Sequence, residues 1–362
     1  MRRRDRLAEP SRLWGNLFAL ACGVALSVLL VECFLRIFPH YPISTSQRRE
    51  RDWRQTHATP EQVLTKRRYS FDRYSPELGW EIKPNVRSAR FNSNSRGLRG
   101  IREYESDPPA GVRRVLCVGD SFMFGEKLSD EQTLPVQLQS LLNRDGRWEV
   151  LNLAVHGYGT DQQWLRLKHL GFQYRADVVV LGFFEDNVER NTLSFRDYAK
   201  PYFELAGDRL VLRNTPVPSP ETLLSRPPQW PPCALRFWCA LQSLLETVTA
   251  VVPGLPLERT NGGRVTLAIL DAMLEESRSR GLQFVLMAIP PAKLGSSPSK
   301  VEALLSNWAQ KNRTPLINLR EAFLKLDPEA QARLYFGHWT PYGVTVVAHV
   351  LAETIRELPS AP

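Results

Sequence analysis

The groups able to do chemistry in this chain stand just after apolar runs. Gly119, Asp120 and Ser121 follow RRVLCV; His156, Gly157, Tyr158 and Gly159 follow VLNLAV; Glu185, Asp186 and Asn187 follow VVVLGFF. His338 stands near the C-terminus in FGHWTPYG. A hydroxyl leaving a strand where a helix begins is presented to a crevice, and glycines in a turn bring a backbone N–H close to a ligand. Each group also has an ordinary reading. Ser121 can be a helix N-cap, Gly157 and Gly159 can serve turn geometry alone, and a single histidine is most often a surface or packing residue. Their common placement in loops, in one order, favours a shared site.

The elements that must position these groups alternate. RRVLCVGD, WEVLNLAV, ADVVVLGFF, LQFVLMAIPP and TPLINL read as strands, the longer of them continuous apolar runs of the kind a buried parallel sheet needs. LPVQLQSLLNR, DQQWLRLKHLGF, VTLAILDAMLEESRSRG, SKVEALLSNWAQKN and TPYGVTVVAHVLAETIREL have helical spacing, with Gly281 ending the third and Pro341 opening the last. Strands alternating with helices predict an α/β three-layer sandwich around a central parallel sheet. In such sheets ligands bind outside the carboxyl ends of the strands, where these groups lie. A Pro-rich insertion over about 197–260, with RPPQWPPC at its centre, interrupts the alternation; its piece ALRFWCALQSLLETVTAVV reads as a helix, serving as a lid or as packing scaffold.

The chain has 362 residues, 43% hydrophobic and 23% charged, which is ordinary globular composition and excludes wholesale disorder. A mean hydropathy of −0.29 excludes a multi-spanning membrane protein but leaves room for one span. Residues 13–38 supply it: no charge occurs from Leu13 to Val31, and the run reaches the ~20 residues needed to cross ~30 Å of hydrocarbon. Glu32 and Arg36 fall in its last turns, and no small-x-small cleavage site follows. The expected organisation is a basic tail over 1–12, a transmembrane anchor over 13–38, a membrane-proximal leader over 39–110 and the α/β domain over 111–360. The net charge of +9 is concentrated in arginines flanking the span: Arg2, Arg3, Arg4, Arg6 and Arg12 before it, and Arg48, Arg49, Arg51 and Arg54 after it. We read this as juxtamembrane charge with no nucleic-acid partner. The N-terminal group lies closer to the span, so the positive-inside rule places the domain outside the cytoplasm, in the periplasm or extracellular space. Of five cysteines, Cys233 and Cys239 lie near enough in sequence to pair in an oxidising compartment. No H-x-x-x-H pair occurs among the six histidines, and GDSFMFG lacks the lysine and spaced glycines of a phosphate loop, so neither metal nor nucleotide cofactor is expected.

From about Arg113 onward the order of blocks resembles the SGNH hydrolases, also called the GDSL esterase and lipase family. GDSFMFGE at 119–126 is similar to its first block, VLNLAVHGYGT to its second with Gly157 as the equivalent glycine, and HWTPYG to its histidine block. The third block supplies an asparagine, usually as Asn-Asp; here FFEDNVERN inverts that order. Asn187 is the choice because only an amide can donate, with Asp186 and Asn191 as alternatives. LGWEIKPN and NSRGLRG also look like the leader of membrane-anchored bacterial members. The resemblance implies a flavodoxin-like SGNH fold and acyl transfer, with Ser121 and His338 catalytic and Ser121, Gly157 and Asn187 forming an oxyanion hole. It implies an acylated small molecule or polysaccharide as partner, with esterase, O-acyltransferase or a non-catalytic glycan-binding role as the possible outcomes. One part is missing. The family's aspartate two or three residues before the histidine is replaced by Tyr335 or Phe336, and neither Asp120 nor Asp327 is assigned in its place. The expectation is that His338 Nδ1–H donates to a backbone carbonyl instead.

Overall fold

The computed structural model describes residues 10–38, 44–57, 71–226, 235–251, 256–295 and 297–359. The first residues of the basic tail, part of the leader, PPQWPPC after Arg226 and with it Cys233 lie outside the described residues. Cys239 is disulfide-bonded.

Helix α1 (Pro10–Ile37) carries the apolar run, and Trp14–Ile37 is long and apolar enough to cross a membrane. Glu32 and Arg36 pair at 2.6 Å one turn apart. Helix α2 (Thr45–Thr56) opens on a capping box at Ser44 and buries Trp53 against the rings of Phe195 and Tyr198. The leader then forms an antiparallel hairpin of β1 (Asp72–Ser75) and β2 (Gly79–Ile82).

The domain follows as β3 (Arg113–Val118), α3 (Ser121–Phe124), α4 (Leu134–Leu142), β4 (Trp148–Asn152), α5 (Thr160–His169), β5 (Val178–Phe184) and α6 (Asn187–Arg190). The insertion contributes a hairpin, β6 (Tyr202–Ala206) and β7 (Arg209–Arg213), and helix α7 (Arg236–Val251). The alternation resumes with α8 (Asn261–Ser279), β8 (Gln283–Ile289), α9 (Lys300–Asn312) and β9 (Leu316–Asn318). It closes with the short hairpin β10 (Tyr335–Phe336) and β11 (His338–Trp339) and with α10 (Pro341–Glu357).

Five parallel strands form the central sheet in the order β4-β3-β5-β8-β9. Numbered along the domain, this is 2-1-3-4-5, the flavodoxin-like doubly wound order. The runs are continuous because both faces are covered: Val115, Leu116, Cys117 and Val118 of β3 and Val178, Val179, Val180 and Leu181 of β5 are almost wholly inaccessible. Helix α4 packs with α10, and α5 with α8. Pro341 opens α10 behind the cap Thr340, and Gly281 follows α8 at φ +73, the left-handed conformation that ends a helix. The first strand order change, between β3 and its two neighbours, opens the crevice at which the candidate groups gather.

Candidate active site

Ser121 is the first residue of α3, and the cap is Asp120, whose Oδ1 accepts the Phe122 N–H at 3.0 Å. The N-cap reading of Ser121 is thereby corrected. With Asp120 capping, the serine hydroxyl is free for other partners, and its Oγ lies 2.8 Å from His338 Nε2 although 217 residues separate them. The tight β10–β11 hairpin, turning at Gly337 with φ +78, delivers His338 to that point. Its imidazole packs on the Phe122 ring at 5.0 Å, and Phe122 also meets Trp339 at 5.2 Å and Phe184 at 4.9 Å. Ring packing, rather than a carboxylate, sets the plane of the imidazole.

The other ring nitrogen corrects an expectation. His338 Nδ1 is buried and has no hydrogen-bond partner among the described residues, so the backbone carbonyl anticipated for it is not there. The β10–β11 register explains this. Phe336 and His338 are paired across a single glycine, so the short hairpin leaves few main-chain carbonyls of its own near the imidazole. Burial pushes the His338 imidazole below its ordinary pKa, and the carboxylates of Glu126 and Asp120 oppose that shift.

Three N–H donors after these strands are unengaged among the described residues. Gly157 follows the second strand at φ +80, and a Cβ there would stand 2.5 Å from Arg196 Nη1 and 2.7 Å from Asp197 Oδ2. Only glycine suits that backbone. Among the described residues the N–H groups of Ser121 and Gly157 donate to no protein acceptor. Asn187 is fully buried, and its Nδ2 is likewise without a partner. Its Oδ1 accepts from Arg190 Nη1 at 3.2 Å, and because a guanidinium has no acceptor this contact fixes which end of the amide is which. The two alternatives sit differently. Asp186 is about half exposed and pairs with Arg190 Nη2 at 3.1 Å. Asn191 is consumed by structure, donating to Thr266 Oγ1 at 2.9 Å and accepting the Asp161 N–H at 3.2 Å.

Sequence reasoning missed Arg190. Its side chain is 7% exposed, and Nη1 also lies 2.7 Å from Asp120 Oδ2 and 3.2 Å from the Tyr158 carbonyl. One guanidinium therefore joins the serine block, the glycine block and the asparagine block. The available signal was its i+3 and i+4 spacing from Asn187 and Asp186, which an exposed helix would also show. Sequence reasoning also missed the contribution of the leader. Trp80 Nε1 donates to the His156 carbonyl at 3.1 Å, Asp72 Oδ2 meets His156 Nε2 at 2.8 Å, and the Tyr158 hydroxyl donates to the Trp80 carbonyl at 2.5 Å. Arg99 donates to the carbonyls of Phe124, Gly125 and Leu128 behind the serine turn and pairs with Asp130 at 3.0 Å. A cleft of about 530 Å³ opens beside this turn, walled by Phe71, Phe91, Phe124 and His156 with Arg90 and Lys127 at hand.

No family model matches the chain, and no curated protein matches it. Among solved structures it is similar to a lipase/acylhydrolase from Enterococcus faecalis, at 16% identity over 67% of this chain and 95% of that one, TM-score 0.38. It is similar to a psychrotrophic esterase from Pseudoalteromonas sp., at 14% identity over 68% and 97%, TM-score 0.39. A GDSL-like lipase from Bacteroides thetaiotaomicron aligns at 12% identity over 68% and 88%, TM-score 0.37. The strand order and the meeting of the blocks rest on this chain's own coordinates. The fold is a flavodoxin-like doubly wound α/β sandwich with strand order 2-1-3-4-5.

Proposed function

We propose that the chain is a membrane-anchored serine esterase or deacylase acting through an acyl-serine, on an acylated glycan or another ester of the cell envelope. The observation that carries this is the 2.8 Å contact of Ser121 Oγ with His338 Nε2, and the unengaged N–H donors of Ser121, Gly157 and Asn187 support it. Ser121 Oγ attacks the ester carbonyl carbon while its proton passes to His338 Nε2. The carbonyl oxygen becomes an oxyanion and takes hydrogen bonds from the N–H groups of Ser121 and Gly157 and from Asn187 Nδ2, each such donor being worth about 3–4 kcal/mol in related sites. His338 returns the proton to the leaving alcohol as the C–O bond breaks. Water, activated by the same imidazole, then attacks the acyl-serine and releases the acid. A sugar hydroxyl in place of water would make the reaction an O-acyl transfer.

Arg190 positions rather than reacts in this scheme. It holds Asn187 by its oxygen so that the nitrogen faces the oxyanion, and it neutralises Asp120 beneath the serine. The leader hairpin buttresses the Gly157 turn. α1 anchors the chain in the cytoplasmic membrane with the domain on the outer side. The unpartnered Nδ1 favours one rival, a glycan-binding module on an inactive scaffold, because no carboxylate stabilises the imidazolium. Fluorophosphonate labelling of the membrane-reconstituted full chain decides between them. Labelling of the wild type but not of Ser121→Ala or His338→Ala is expected; an unlabelled wild type overturns the esterase reading.

A further inference from the structure

The insertion helix α7 is joined to the end of α1. Glu32 Oε2 accepts the Phe237 N–H at 2.8 Å, and Arg236 Nη1 donates to the Leu35 carbonyl at 2.7 Å. From Trp14 onward, Glu32 and Leu35 are the only buried residues of α1. A carboxylate in the last turns of a span is costly unless it is paired. Glu32 is paired twice, by Arg36 and by the first turn of α7, whose N-terminal N–H groups favour a negative charge. The first turn of α7 is therefore held at the level where α1 leaves the hydrocarbon.

From that level α7 exposes apolar surface. Trp238, Leu244 and Leu245, with Leu235 just before the helix, are each 51–59% exposed within eleven positions. The large apolar side chains exposed elsewhere on the described domain, Ile101, Val136, Leu324 and Phe336, are scattered singly. Trp238 and Leu245 stand seven residues apart on one stripe with Leu241 between and Gln242 at its edge, while Arg236 lies on the other side. At the Glu32–Phe237 junction this helix meets the end of α1, where Phe34 and Ile37 are also exposed. Sixteen residues of helix span about 24 Å, short of the ~30 Å of a bilayer core, so α7 is too short to be a second crossing.

We propose that α7 is an amphipathic helix seated in the headgroup–acyl boundary beside the exit of α1, and that the bilayer surface covers its apolar stripe. The insertion then acts as a second membrane attachment that fixes the domain's height and tilt, which α1 alone would leave free. The proposal rests on the anchor reading of α1, and its test separates the two.

The full chain, with Cys22→Ser and Cys33→Ser, is reconstituted in vesicles of phosphatidylcholine and phosphatidylglycerol. Single thiols introduced by Leu17→Cys, Leu245→Cys or Asp208→Cys carry an environment-sensitive fluorophore, and doxyl-labelled lipids serve as quenchers. A blue shift and loss of intensity at positions 17 and 245, with none at 208, is expected. Quenching at 17 alone overturns the proposal and leaves the anchor standing. No quenching at 17 or 245 overturns the anchor and the proposal together. A blue shift at 245 without lipid quenching, accompanied by a 245–245 crosslink, assigns the stripe to a second copy and also overturns it.

Discussion

Arg190 Nη1 lies 2.7 Å from Asp120 Oδ2, with both side chains almost fully buried, and the same nitrogen reaches Asn187 Oδ1 and the Tyr158 carbonyl. The loop after β3, the turn after β4 and the start of α6 are thereby tied at one point. Arg190→Met leaves Asp120 buried without its counter-charge, a change that typically costs about 3–5 kcal/mol. A lower Tm and slower serine labelling are expected together. Arg190→Lys keeps the charge but loses the fork, so it should recover more of the Tm than of the labelling rate. Equal recovery of both would show that charge alone matters and that Asn187 is not held through Arg190.

Asn187 and Asn191 should separate activity from stability. Asn187→Ala removes the unengaged Nδ2 donor and one acceptor of Arg190 Nη1, which keeps Asp120 and the Tyr158 carbonyl, so kcat should fall about 10²–10³-fold with KM little changed and Tm only slightly lowered. Asn191→Ala instead breaks hydrogen bonds to Thr266 and to the Asp161 N–H. It should lower Tm and spare kcat in the protein that remains folded. Steady-state kinetics on a short-chain ester and a thermal melt of each variant distinguish these outcomes.

The pH profile follows from the burial of His338. Its imidazole is held below the ordinary value of ~6.5, so the neutral, proton-accepting form persists to lower pH than a solvated histidine would allow. kcat/KM should be flat above neutrality and fall only as pH drops through that depressed value. The linkage has the same sign. The unfolded chain takes up the proton first, so the contribution of His338 to stability is complete above ~6.5 and is lost as pH falls toward the folded value. An acid limb centred above ~6.5 would contradict the burial argument.

The parallel strands were legible because burial on both faces demands continuous apolar runs, as in VLCV and VVVL, and Gly157 was legible because a positive φ admits little else. Ser121 and His338 were legible by their blocks, although nothing in their spacing predicted a 2.8 Å contact. Arg190 was hidden because its i+4 relation to Asp186 is what any surface helix shows, while its partners Asp120 and Tyr158 come from other loops. The tie from Asp72 and Trp80 to the Gly157 turn was hidden for the same reason: long-range polar contacts leave no period in a sequence. The free Nδ1 of His338 depends on a hairpin only two residues long on each side, below the length at which alternation can be read.

That hairpin supports a last prediction. The missing aspartate would stand two or three residues before His338, at Phe336 or Tyr335, and Phe336→Asp is the first attempt at repair. Phe336 is 79% exposed, and its ring lies 5.4 Å from Lys127 Nζ, so a carboxylate placed there meets solvent and an ammonium before it meets the imidazole. A solvated carboxylate contributes little to a neighbouring charge, whereas a buried triad carboxylate can be worth about 10⁴-fold in rate. Phe336→Asp should therefore raise kcat by far less than a triad carboxylate would, and the acid limb of the pH profile should stay near its wild-type position. Tyr335→Asp is no better a repair, because Tyr335 packs on Phe122 and donates to the Pro290 carbonyl at 2.9 Å, contacts that help seat the His338 hairpin. If Phe336→Asp instead lifts kcat by orders of magnitude and moves the acid limb upward, the new carboxylate has reached Nδ1. The hairpin would then be more pliable than its Phe336–His338 register implies.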